Sequence, residues 1–232
     1  MPRQPFLPIY KDAELIFGPA HVNRKSNIAA AVGRCIMLWS YVDWQMAMLL
    51  AAIMKADTEA SVAIFLTLRN ARAQRDVLIA AADMTLSAEH RDVFDAVMLL
   101  YGSLQAQRAD IAHGIFGHVD VDDDNIVPWI ETKKISKEWI EKFHKLKREG
   151  VAPEADANLG QKRETFIYKI TDLEKLAEEI YQFWGITFGF TSLLRFPDLP
   201  LTARTFESQC SWPQMQSALS EIRNRKNGTT PA

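Results

Sequence analysis

The sequence predicts an all-α protein, an antiparallel four- or five-helix bundle with a small inserted β-hairpin or three-stranded sheet, and three observations predict it. Ile28, Val32, Cys35, Trp39, Val42, Met46, Leu49 and Ile53 recur at alternating spacings of four and three, which puts them on one face of a long helix. Phe94, Val97, Tyr101, Leu104 and Ile111 repeat the pattern on a second helix, with one apolar position missing. Period-two alternation is confined to a stretch at about 115–170.

In chain order, Ser26 serves as N-cap of the first long helix. After the KADTE turn, Val62, Phe65 and Leu66 mark a short second helix, and Val77, Leu78, Ala81 and Ala82 a third. Ser87 caps the fourth. IFGHVDV and NIVPWIET, joined by the acidic turn DDDN, read as a hairpin, and FIYKI (166–170) adds a third strand. Between them Ile135, Ile140, Phe143 and Leu146 mark an amphipathic helix that Gly150 ends. VAPEADANLGQKRE reads as a loop. TDLE (171–174) is a capping box that opens the last long helix, through Leu173, Leu176, Ile180, Phe183 and Trp184 to about Arg195. Pro197, Pro200 and Pro213 then interrupt the chain. Residues 1–25 are thus an N-terminal extension, 26–195 the bundle with its β insertion, and 196–232 a C-terminal extension and tail.

Composition narrows the function classes. The formal charge of −2 and pI near 6.2 give no global attraction for polyanions, so any nucleic-acid contact must be local. Cys35 and Cys210 lie far apart in no C-x-x-C arrangement, which points to reduced thiols in a cytoplasmic protein. The N-terminus is unlike a secretory signal. The apolar run 35–54 carries Asp43 and Gln45 near its middle, and 180–194 is shorter than a span needs, so no membrane partner is expected.

The residue in the missing apolar position of the second stripe is Arg108, and His113 follows at the end of the same helix, in RADIAHG. Five positions at about 100° each separate the two by roughly 140° around the axis. If Gly114 supplies a C′ turn, His113 lies in the last turn, where its ring can meet a long arginine. Such a pair suits metal-free phosphodiester cleavage: an imidazole takes the proton of a ribose 2′-hydroxyl and a guanidinium holds the phosphate. The structural alternative is that Arg108 pairs with Asp43 on the first helix, since a buried charge needs a partner.

RADIAHG resembles the RNxxAHG-type helix ending of the HEPN superfamily. GRCIMLWSYVDWQMAMLLAAI resembles the long first helix of one bacterial branch, in which an aromatic-serine pair, here Trp39 and Ser40, precedes an acidic residue, here Asp43. The likeness covers about residues 26–195. It implies a helical bundle that commonly dimerises with the Arg-His motifs of two subunits lining one cleft. It also implies metal-independent endoribonuclease activity in toxin-antitoxin or antiphage systems for many members, and binding or scaffold roles for others. Arg108 and His113 would then be catalytic, with Asp43, Asp110 and Ser40 in support; homodimerisation, RNA and a cognate antitoxin are the implied partners, with no cofactor. Where the family usually has Asn, Asp or His after the arginine, this chain has Ala109, with Asp110 one step later. A non-catalytic interaction or scaffold module is the alternative.

Arg69, Arg72 and Arg75 in LRNARAQRD could add a phosphate-binding face to Arg108, or form a solvated turn with surface ion pairs. Asp120, Asp122, Asp124 and Glu131 match calcium-loop positions, but Asn125 stands where the loop needs Gly and the flanks read as strands. His113 and His118 lack the ligands to complete a zinc set. No metal site is expected. The stripe of Trp184, Phe188 and Phe190 reads as core or dimer interface.

Overall fold

The first apolar stripe folds as α1, Ser26–Met54, in the computed structural model, which describes residues 4–7, 9–17, 24–120, 125–134, 144, 148 and 159–228. Around α1 the described chain is mostly helical with one small antiparallel sheet. In order it runs β1 (Gln4–Pro5), β2 (Leu15–Phe17), α1, α2 (Thr58–Thr67), α3 (Ala71–Thr85), α4 (Ala88–His113), β3 (Gly114–Val119), β4 (Ile126–Glu131), a 3-10 turn (Thr132–Lys134), α5 (Leu159–Glu164), β5 (Phe166–Lys169), α6 (Ile170–Arg195), α7 (Pro200–Cys210) and α8 (Pro213–Lys226). The chain divides into two units, each assembled from two stretches: Met1–Ile36 with Gln107–Ala177, and Met37–Ala106 with Glu178–Ala232. Helices α1, α4 and α6 each contribute to both.

The first unit holds the sheet, in the order β1-β5-β4-β3-β2. The expected three strands, β3 to β5, form its centre, with Phe116 opposite Trp129 and Trp129 opposite Phe166. The two further strands come from the segment expected to be a mere extension. Gln4 and Pro5 pair with Ile167 and Phe166, and Leu15 to Phe17 pair with Val119 to Gly117. Strands of two and three residues are too short to show a period of two, which is why the pattern missed them. What holds them is burial: Phe6, Leu15, Val119, Ile126 and Ile167 form one apolar cluster, worth about 1.5–3 kcal/mol for each fully buried large side chain. Cys35 in α1 donates from Sγ to the Leu173 carbonyl at 3.4 Å.

In the second unit, Trp39 of α1 stacks on Tyr101 of α4, and Tyr101 on Phe183 of α6, with centroids 5.6 and 6.2 Å apart. A buried polar chain joins α1 and α6. Gln45 Nε2 donates to Thr191 Oγ1 at 2.9 Å, and Thr191 donates in turn to the Thr187 carbonyl at 2.8 Å. Phe190 of α6 packs on Phe206 of α7, while Met215, Ala218, Leu219 and Ile222 are the buried face of α8. Lys226 at the end of α8 is bonded to Asp92 of α4.

The helix ends show where local rules operate. α1 stops in a Schellman turn: Ala56 N–H donates to the Ala51 carbonyl and Lys55 N–H to that of Ala52, with Lys55 at φ 52° where glycine is usual. The Asp57 carboxylate caps α2 by accepting from Ala60 N–H at 2.9 Å, and Asn70 caps α3 through Arg72 N–H at 2.8 Å. Ser87 accepts from His90 N–H at 3.4 Å at the start of α4, as expected. Two readings need correction. α6 opens at Ile170, one residue before the expected cap, and the reciprocal carboxylate is Asp172, which accepts from Lys169 N–H at 3.1 Å. Pro200 and Pro213 do not merely interrupt the chain; each sits at the first turn of a helix, where its missing N–H costs nothing.

The stretch 159–164, expected to be loop, is α5, and its buried Lys162 donates from Nζ to the Lys11 carbonyl at 2.9 Å. Of the amphipathic helix expected around 135–150, His144 and Arg148 are described and both are helical; its other residues and the 151–158 stretch lie outside the described residues. By length and composition α1 could cross a membrane, yet 56% of its most apolar window is buried inside the protein.

Candidate functional site

The RADIAHG segment ends α4 in the first unit and passes into β3 with no intervening loop. A helix end leaves its last carbonyls without intrahelical partners, and here β4 and the turn after it supply two donors. Trp129 Nε1 donates to the Asp110 carbonyl at 3.0 Å, and Thr132 Oγ1 donates to the His113 carbonyl. The backbone on both sides of Ile111, itself buried, is thereby tied to the sheet.

Gly114 does not supply the left-handed C′ turn that the sequence suggested. Among the described residues Gly228 is the glycine with positive φ. Its smallness has another cause: a Cβ at 114 would lie 1.6 Å from Trp129 Nε1 and 2.2 Å from Cε2. The glycine makes room for the indole that holds the Asp110 carbonyl. Neither Trp129 nor Thr132 was legible as a site residue, because the contact exists only once β4 is paired beside β3, and no sequence spacing encodes it.

Against this fixed backbone the two motif side chains differ. Arg108 is half-buried at the position missing from the apolar stripe, and its Nε is buried with no hydrogen-bond partner among the described residues. His113 is exposed. Ala109 and Asp110 are half-buried. The last one and a half turns or so of α4 thus carry a guanidinium partly shielded from water and an imidazole open to it, both on an end that the sheet restrains. An arginine with an unpartnered donor can bind a phosphate, and a solvent-facing imidazole can exchange protons.

The remaining candidates belong to the second unit. Ser40 is exposed and Asp43 half-buried on α1, and both already engage neighbours. Arg69, Arg72 and Arg75 are all exposed; Arg72 faces Asp76 across one helical turn at 3.8 Å, and Arg75 reaches over Gly102 of α4. Trp184 is half-buried, stacked between Tyr181 and Phe188 with centroids 6.0 and 5.6 Å away, whereas Phe190 is fully buried. The stripe is therefore divided between core and surface.

Among the described residues no group of three His, Cys, Asp or Glu side chains could hold a metal. Asp120 is exposed and Glu131 half-buried; Asp122 and Asp124 of the acidic hairpin lie outside the described residues. Both cysteines are free thiols. Burial pushes Cys35 up to about 11 against a weaker opposing pull from Arg34, and burial aided by Glu207 pushes Cys210 to about 11. Neither is the low-pKa thiolate that nucleophilic catalysis needs.

No family model, curated protein or solved structure matches this chain.

Proposed function

We propose that this chain is a HEPN-type helical-bundle protein of the bacterial cytoplasm that binds RNA and cleaves it without a metal. In this reading His113 takes the proton from a ribose 2′-hydroxyl while Arg108 holds the phosphate. The 2′-oxygen then bonds to phosphorus, the P–O5′ bond breaks, and the departing 5′-oxygen takes up a proton. The ends are a 2′,3′-cyclic phosphate and a 5′-hydroxyl, and DNA, lacking the 2′-hydroxyl, is not a substrate.

The observation that carries the reading is the anchoring of the α4 end. Trp129 and Thr132 hold the Asp110 and His113 carbonyls, while Arg108 keeps an unpartnered Nε among the described residues and the His113 ring stays exposed. Preorganised groups aimed at developing charge are the largest contribution to such catalysis. Asp110, two residues after Arg108, would orient the pair. A homodimer sharing one cleft, regulated by a cognate antitoxin, completes the assignment.

Ala109 favours a second reading. Without a polar side chain directly after Arg108, the same helix end could serve a non-catalytic interaction module in which the arginine is a structural contact.

The test is cleavage of labelled single-stranded and structured RNA in EDTA by the wild type and by His113→Ala. His113 is exposed and contributes its backbone carbonyl to the anchoring, so its removal should leave the fold intact. Cleavage by the wild type that leaves cyclic phosphate ends and is lost in the variant supports the nuclease. RNA intact with both proteins transfers the assignment to the interaction module.

A further inference from the structure

A second site, independent of Arg108 and His113, lies within the second unit where the end of α1 and the start of α2 face the end of α6. Ala51, Lys55, Thr58, Arg195, Phe196 and Pro197 line an open groove of about 470 Å³ there, within the usual range for ligand pockets, roughly 300–1,000 Å³. Two of the lining side chains are cations and none is acidic.

The cations are available. Arg195 is half-buried and, among the described residues, is fixed by one bond, from its guanidinium to Thr58 Oγ1 at 2.7 Å, which leaves most of its donors unused by them. Lys55 is exposed, and among the described residues neither cation is paired with a carboxylate. Asp57, the acid nearest Lys55 in sequence, accepts from Ala60 N–H as the cap of α2, and Asp198, the acid nearest Arg195 in sequence, is exposed and does not line the pocket. Lys55 also holds its place against the backbone preference: φ 52° is a conformation that glycine adopts freely and a lysine does not.

The rest of the lining is apolar. Phe196, 54% exposed at the rim, and Pro197 beside it offer flat surface, while Ala51 and Ala52 are buried. Two cations lining one pocket beside an aromatic ring match a phosphate joined to a planar, uncharged body. We infer that this groove binds a nucleotide, its phosphate between Lys55 and Arg195 and its base against Phe196 and Pro197. The nucleotide could be free or the 5′-phosphorylated end of an RNA strand, and the two sources share this chemistry.

Calorimetry with the full-length protein at low salt decides it, using AMP, adenosine, inorganic phosphate, and a tetranucleotide with and without a 5′-phosphate. The expected result is that AMP or the 5′-phosphorylated tetranucleotide binds more tightly than both inorganic phosphate and its unphosphorylated counterpart. AMP alone names a free nucleotide; the tetranucleotide alone names an RNA end. Lys55→Gly is the diagnostic variant, because it relieves the left-handed backbone while removing a charge. It should melt no lower than the wild type yet bind at least about tenfold more weakly, the loss of one charge-assisted hydrogen bond. Arg195→Gln should weaken binding similarly, and Arg72→Gln on α3 should not. Binding unchanged by Lys55→Gly, or neither nucleotide probe binding more tightly than inorganic phosphate, overturns the inference.

Discussion

Gly114→Ala offers the most direct check on how the sheet restrains the α4 end. The new methyl would fall 1.6, 2.2 and 2.6 Å from Nε1, Cε2 and Cδ1 of Trp129, distances that no side-chain relaxation absorbs while the indole stays in place. Trp129 is 1% exposed and packs against Tyr168 at 5.8 Å, so it has little room to retreat. Overpacking of this kind costs about 1–3 kcal/mol. Displacing the ring also breaks the 3.0 Å bond to the Asp110 carbonyl, about 1 kcal/mol more. Against this, alanine lowers the entropy of the unfolded chain, stabilising by about 0.4–1 kcal/mol where φ permits. The net expectation is a loss of about 1–3.5 kcal/mol, read as a lower urea midpoint at unchanged m. In a Trp129→Leu background the obstacle is gone, and the same substitution should become neutral or stabilising. That reversal of sign isolates the steric coupling from everything else the two changes do. An equal loss in both backgrounds would refute the account of why this position is glycine.

Three further expectations follow from the rest of the fold. Thr191→Val strips the acceptor from buried Gln45 Nε2 and should cost about 1–3 kcal/mol in urea denaturation, part of which Gln45→Leu should restore when combined with it. Asp172→Ala removes the carboxylate that receives Lys169 N–H and should cost about 0.5–2 kcal/mol, with Asp172→Asn milder. Because burial raises both thiols from 9.0 to about 11, the thiolate fraction at pH 8 should be about a hundredfold lower in the folded protein than in urea, which iodoacetamide alkylation rates would report. The same shift fixes the sign of the pH dependence. An unfolded thiol ionises before a folded one, so this contribution is whole below pH 9 and fades as pH rises toward 11.

The sequence made the helical half of the fold legible because burial writes itself at fixed intervals. Seven of the eight residues in the first stripe are buried and Val32 is half-buried, while Arg108 interrupts the second stripe at a half-buried position. What stayed hidden depends on contacts across long separations. Neither β1 nor β2 has enough residues for a pattern, and each is defined by its partner, β5 or β3. Gly114 looked like a helix terminator because that is the common local use of glycine; its actual constraint comes from a tryptophan fifteen residues later. Pro200 and Pro213 looked like breaks although the same residue type opens helices, and only the buried faces that follow, with Phe206 and Met215, choose between the two. The division into two units was invisible for a related reason: each draws on two distant stretches of chain, with the passages falling inside α1, α4 and α6.

The pairing of β1 and β2 has a practical side. Both outer positions of the sheet are occupied by residues from the first seventeen of the chain, in strands of two and three residues, one of which includes Pro5. Short edges and proline are how sheets avoid recruiting other chains. Expression from a start after Phe17 would uncover β3 on one side and β5 on the other, along with the apolar surface that Phe6 and Leu15 now cover. Aggregation is the expected fate of such a shortened protein, and an affinity tag is better attached at the other terminus.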